Sequence, residues 1–285
     1  MPRTGSHLIR LLVLVALLSA CSGGGESPVD GDTSAAATPS GGPDGGLEGL
    51  EAVFDSLGGL EEGSFGLDRW SLVGTGIGEP SGQALRVSFP EGSVSPSASR
   101  EHGAPGGGMQ VFLDVDGEPL DAGYLRYWVR LPEDFAFAKG GKLPGLFGGS
   151  EVSGGEEPDG TDGFSTRLMW REDGAGEVYL YAPGESGTSL GRGSWTWPRG
   201  DWVCVEQHVA LNDPDRDDGS VTVWLDGEEV FTEDGLRYRA VEDLKIDGVF
   251  FSTFFGGADP SWASPKDQYA DFAAFALSAD RLGCA

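Results

Sequence analysis

The chain has 285 residues and a formal charge of −27 at pH 7, with 46 acidic against 19 basic residues, 48 glycines and three cysteines. Such an acidic chain excludes a nucleic-acid partner, whose phosphates would need a basic face. No cofactor or metal is expected, and a polyanionic ligand would need a locally basic groove, because salt screens the remaining charge only over about 8 Å.

Residues 1–20 read as an export signal, in which Arg3 and Arg10 lead into an apolar run at 11–18 that is too short to span a membrane stably. Leu18-Ser-Ala-Cys21 resembles a bacterial lipobox. That predicts acylation of Cys21 and membrane contact through the lipid alone, on the cell surface or in the periplasm. An ordinary signal with a chance cysteine is the alternative. Residues 21–49 are almost all Gly, Ser, Pro, Asp, Thr and Ala. They bury too little surface to offset ordering entropy and read as a flexible tether. Residues 50–285 have the size of one all-β domain, expected to be monomeric.

Leu47, Leu50, Val53, Phe54 and Leu57 recur at helical spacing, predicting one helix over 47–57. After residue 60 the pattern changes to short alternating runs between Gly, Asp and Pro. Strands are predicted at 84–89, 109–115, 124–131, 165–170, 178–181, 202–211, 221–225, 249–255 and 270–277. Asp116-Gly117, Asp173-Gly174, Asp218-Gly219 and Asp226-Gly227 mark turns between them. Many short strands without interleaved helices predict an all-β, single-domain jelly-roll β-sandwich of the concanavalin A-like kind. With Cys21 acylated, Cys204 and Cys284 remain as a pair in an exported domain, which predicts a disulfide, with two buried thiols as the alternative.

The segments 164–170 and 177–181 read as a hairpin closed by Glu172-Asp173-Gly174, with Gly174 left-handed in a bulge. That register sets Arg167 opposite Tyr179 and Ser165 opposite Tyr181. Period-two alternation places all four on one face and Leu168, Val178 and Leu180 on the other. Lys142, in the glycine-rich run Gly140-Gly-Lys-Leu-Pro-Gly-Leu-Phe-Gly-Gly149, approaches the same face. Two of the four lysines, Lys142 in this run and Lys139 directly before it, fall together. Taken singly, each of these residues would be an ordinary strand aromatic or surface cation; only the joint pattern points to a site.

The motifs GGKLPGLFGG, FSTRLMW, VYLYAPG, GTSLGRGSW, DWVCVEQHVALN and FFSTFFGGADPSW occur in this order and resemble polysaccharide lyase family 14. The resemblance runs from about Leu85 to near the C-terminus. It implies a β-jelly roll that cleaves a uronic-acid polymer such as alginate or glucuronan by β-elimination, making the chain a carbon–oxygen lyase. It also implies an active site of Lys142, Ser165, Arg167, Tyr179 and Tyr181. Lys142, Tyr179 and Tyr181 are the expected catalytic groups, with Ser165 and Arg167 on the substrate. Nearby cations are expected to lower a tyrosine pKa towards base catalysis, and which tyrosine is base and which acid stays open. Arg192 could extend a positive groove, and Trp262, Trp195 or Trp197 could stack on sugar rings. His208 could transfer protons or be an exposed strand residue. Residues 212–219 lack the glutamate of an EF-hand and read as an acidic turn. A carbohydrate-binding module without turnover is the alternative function.

Overall fold

The computed structural model describes residues 57–60, 63–75, 82–115, 117–150 and 152–284. The export signal, Cys21, the tether and residues 47–56 of the expected helix lie outside them; Leu57, the last residue of that helix, instead opens a strand. Fifteen strands form among the described residues. They are β1 (Leu57–Leu60), β2 (Trp70–Gly74), β3 (Gln83–Phe89), β4 (Met109–Val115), β5 (Ala122–Arg130), β6 (Gly140–Leu143), β7 (Gly145–Gly149) and β8 (Gly163–Arg171). After them come β9 (Gly176–Ala182), β10 (Glu185–Leu190), β11 (Trp202–Ala210), β12 (Gly219–Leu225), β13 (Glu228–Leu236), β14 (Gly248–Thr253) and β15 (Gln268–Ser278). One seven-residue helix, α1 (Pro96–His102), precedes β4.

The strands form two antiparallel sheets. The first runs β1-β4-β14-β7-β8-β9-β10, with β6 also paired to β8; the second runs β13-β12-β11-β5-β15-β3-β2. Late strands β14 and β15 lie beside early ones, β4 and β5, which is the crossed connectivity of a jelly roll. All nine expected strands are present, with ends shifted by at most two residues. The others gave weak signals for physical reasons. β6 and β7 are mostly glycine, and β10 and β13 are polar edge strands with exposed side chains. Their pairing is imposed by neighbours, because glycine has little strand preference of its own. The helix was missed because it buries only Ala98; its Ser95 cap and left-handed Gly103 are its remaining signals.

Inward side chains of both sheets make one core. Leu168, Trp170, Val178 and Leu180 come from the first sheet, and Val87, Leu125, Val129, Val205 and Phe272 from the second. Gln207 of β11 ties the sheets through this core, donating to the Thr166 carbonyl at 2.7 Å. On the outer face of the second sheet, Asp271 is fully buried and bonded by Arg86 at 2.7 Å and Arg130 at 2.8 Å. Cys204 and Cys284 are bonded there as a disulfide. Beside them Glu206, also buried, accepts from Arg281 Nε and from the amides of Leu282 and Gly283. His208 stacks on Tyr124 with ring centres 4.1 Å apart on this same sheet, away from the site described next. In the acidic turn, Arg216 spans Asp213 and Asp218.

Candidate active site

The β8–β9 hairpin supplies the floor of a cleft on the outer face of the first sheet. Ser165 pairs with Tyr181 and Arg167 with Tyr179, while Leu168, Val178 and Leu180 point into the core. Every residue of β8 is buried, because one face meets the core and the other the cleft floor. The loop keeps the expected length, with the Arg171 amide donating to the Ala175 carbonyl at 2.7 Å. It differs in having two left-handed residues, Asp173 at φ +58° and Gly174 at φ +79°, where a single left-handed glycine was expected. Aspartate tolerates this conformation better than most side chains.

Lys142 reaches the floor from β6, where it pairs with Met169. The preceding glycine makes this possible: a Cβ on Gly141 would lie 2.1 Å from the Trp170 ring and 2.5 Å from the Phe254 carbonyl. The Lys142 amine sits 3.2 Å from the centre of the Tyr179 ring and 2.9 Å from Met169 Sδ. Neither neighbour is an acid. Burial, then the charges of Arg167 and Arg171, push its pKa well below the usual lysine value, against a smaller upward pull from Glu177. A ring face under a desolvated cation returns about 2 kcal/mol, whereas desolvating an ion costs several. Desolvation therefore outweighs the ring, and the charged form is disfavoured.

Arg167 lies across the Phe250 ring at 4.3 Å, on a small apolar cluster of Phe112, Phe147 and Phe250, with the Tyr181 ring 5.7 Å away. No carboxylate pairs with it among the described residues. Its Nε is buried without a partner, and its Nη1 reaches only Ser252 Oγ at 3.5 Å. Burial brings its pKa down to about 10, still charged at neutral pH. A buried cation without an anion is costly unless a ligand supplies one.

Tyr179 and Tyr181 stand edge to face with ring centres 5.5 Å apart. Their hydroxyls converge over Gly187 of β10, where a Cβ would lie 2.4 Å from one and 2.9 Å from the other. Tyr181 Oη also accepts the Gly155 amide at 3.1 Å. Contrary to expectation, Tyr179 is not driven towards phenolate. Burial and the neighbouring Tyr181 raise its pKa to about 12, outweighing Arg171 and Arg167.

The remaining expected residues divide. Trp262 lines the cleft, between Lys139 at 5.9 Å and Arg171 at 5.8 Å. Ser165 does not open into the cleft: its hydroxyl donates to the Val152 carbonyl at 2.9 Å and anchors the segment that carries Gly155. Arg192 is exposed in the turn after β10 and does not line the cleft, because that turn carries it off the edge of the sheet. Trp195 and Trp197 are buried in the main core. Met169, Arg171 and Glu177 were not expected. Arg171 pairs with the fully buried Glu177 at 2.5 Å, beneath Tyr179. Continuing the alternation from Arg167 to 169 and 171, and from Tyr179 back to 177, would have found all three.

The cleft holds about 660 Å³ and gathers Lys142, Arg167, Met169, Arg171, Tyr179, Tyr181 and Trp262. A buried cation, an amine of lowered proton affinity and a protonated phenol in one cleft on the face of a jelly roll are the features of a carbohydrate-active protein. Comparison with known proteins agrees. The family model of polysaccharide lyase 14 matches residues 78–275. The marine PL-14 alginate lyase of Aplysia kurodai is 32% identical with a TM-score of 0.68, over 84% of this chain and 97% of that one. The alginate lyase vAL-1 from Chlorella virus, 24% identical with a TM-score of 0.61 over 74% and 93% of the two chains, shares the fold. So does the endo-β-1,4-glucuronan lyase of the fungus Trichoderma reesei, at 14% identity and a TM-score of 0.51 over 82% and 92%. A search of curated proteins finds no match. The chain belongs to polysaccharide lyase family 14, and its activity is that of a polysaccharide lyase.

Proposed function

We propose that this lyase cleaves a uronate polymer, alginate before glucuronan, by β-elimination, with Lys142 as base and Tyr179 as acid. The observation that carries the reading is Arg167, a buried guanidinium without a carboxylate partner among the described residues, beside an amine whose pKa burial pushes well down. Arg167 binds the substrate carboxylate and stabilises the charge that develops on it as C5 loses its proton. The Lys142 lone pair takes that proton, C4=C5 forms, and the C4–O bond breaks. Tyr179 gives its proton to the departing oxygen. The ammonium left on Lys142 then lies over the ring of the phenolate, where the opposite charges favour return of the proton. Tyr181, held by the Gly155 amide, fixes the position of Tyr179. The relationship to the Aplysia enzyme, an alginate lyase, puts alginate first.

The test is to incubate the chain with alginate and with glucuronan and follow the ultraviolet absorbance of the unsaturated product. Absorbance gain on alginate that is lost in Lys142→Ala supports the reading. Binding without product on either polymer would instead identify a carbohydrate-binding module. Export and anchoring through an acylated Cys21 belong to the same proposal and rest on the sequence of residues 1–49. Fatty-acid labelling in a bacterial host, lost in Cys21→Ser, checks them.

A further inference from the structure

The cleft does not end at Phe65. A second hollow of about 290 Å³ continues from it, sharing Phe65, Pro96 and Arg100 with the cleft and adding Arg69. Phe65 stands between the two. Its backbone is locked to Gln110 by hydrogen bonds of 3.0 Å in both directions, and its ring lies 5.9 Å from Phe254 of the cleft wall. The Arg69 guanidinium is seated against Gly106, where a Cβ would lie 2.5 Å from Nη2. Its ion pair is with Asp68, at 3.6 Å from Nε, and that carboxylate side chain is 77% exposed. An exposed pair of this kind contributes little, and beside it Nη1 makes only one long bond, to the Gly108 carbonyl at 3.5 Å, so the guanidinium can still bind another anion. Arg100, exposed on α1, faces the same hollow. No carboxylate lines the hollow among the described residues. In a chain with 46 acidic and 19 basic residues, two arginines converging on one concave surface reverse the sign of the prevailing field.

We infer that this hollow is a distal subsite in which Arg69 and Arg100 bind the carboxylate of a uronate unit beyond those at the reacting centre. The inference rests on the polyuronate reading above. A polyuronate carries a carboxylate on every unit, so any chain that extends past Phe65 brings another anion to the two arginines. Short oligomers leave the hollow empty. Arg69 and Arg100 therefore select for chain length and lower KM on polymer, without touching the chemical step.

The experiment compares the full chain with Arg69→Ala/Arg100→Ala and with the surface variant Arg100→Glu, which leaves the packing of Arg69 intact. Kinetics are measured on alginate polymer and on purified alginate trisaccharide. Binding is measured separately by retardation in alginate-containing native gels. KM on polymer is expected to rise about tenfold in the double variant at low salt, with kcat and trisaccharide kinetics unchanged. Added salt should bring wild type towards the variant. A cleaving wild type whose variants keep its polymer KM and retardation overturns the subsite and leaves the lyase reading standing. An equal loss on polymer and trisaccharide also overturns it. If wild type gives no product but its retardation falls in both variants, the subsite stands and the elimination reading fails. Neither cleavage nor retardation by alginate overturns both.

Discussion

The amine of Lys142 lies 3.2 Å from the centre of the Tyr179 ring, and the two groups are shifted in opposite directions: the lysine pKa well down, the tyrosine up to about 12. One burial causes both shifts, since low dielectric disfavours the ammonium and the phenolate alike. Both shifts favour the neutral forms, which are the starting state for a base and an acid acting together.

Replacing Lys142 tests the base. Lys142→Ala and Lys142→Arg should each lower kcat by roughly 10²–10⁴-fold, because neither offers a neutral amine. Lys142→Met should at the same time raise the melting temperature at neutral pH. The unfolded lysine holds its proton up to about pH 10.4, while the folded one releases it well below, so the wild type carries a penalty at neutral pH that fades as pH rises. Methionine removes that penalty, and each kcal/mol shifts the midpoint by about 2–4 °C in a domain of this size. Calorimetry beside initial-rate measurements checks both halves.

The pH profile of kcat/KM follows from the same shifts. Activity should rise with pH through the depressed pKa of Lys142 and level off below the ordinary lysine range. It should then hold to about 10, where Arg167 loses the charge that binds the substrate carboxylate, while Tyr179 stays protonated until about 12. Tyr179→Phe should keep the ascending limb and lose roughly 10²–10⁴-fold in kcat. An alkaline fall that sets in well below 10, with Arg167 still charged, would remove Tyr179 from the acid role.

Gly187→Ala probes the phenol pair without touching either phenol. The new methyl would stand 2.4 Å from Tyr179 Oη and 2.9 Å from Tyr181 Oη, at a backbone φ of +74°. Displacing both hydroxyls should cost about 10²-fold in kcat/KM, and the left-handed alanine about 1–2 kcal/mol of stability. Steady-state kinetics and thermal unfolding of the same preparation separate the two effects.

The Cys204–Cys284 disulfide joins residues 80 apart in sequence and sits on the sheet opposite the cleft. Cys284→Ser should therefore lower stability by about 2–4 kcal/mol while leaving kcat and KM unchanged at temperatures where the fold persists. Denaturant titration with and without reductant measures the first, and rates on polymer the second.

Alternation in the sequence was enough to place the nine main strands and to set Arg167 against Tyr179 and Ser165 against Tyr181. A period of two leaves a strand with one face for the core and the other for the site, and a turn of set length fixes the register between its strands. Glycine-rich β6 and β7 carry no such period, so their places come from the strands beside them. The roles within the site were decided by tertiary structure alone. Ser165 turns to Val152 and Arg192 leaves the cleft because of how the loops pack around the sheet, which local alternation does not specify. Proton affinity is the clearest case. From the sequence, cations next to a tyrosine suggest a phenolate; in the folded chain, burial outweighs those cations, leaves Tyr179 protonated and pushes the pKa of Lys142 well down. Desolvation depends on everything packed around a group, and that information exists only once both sheets and their loops are assembled.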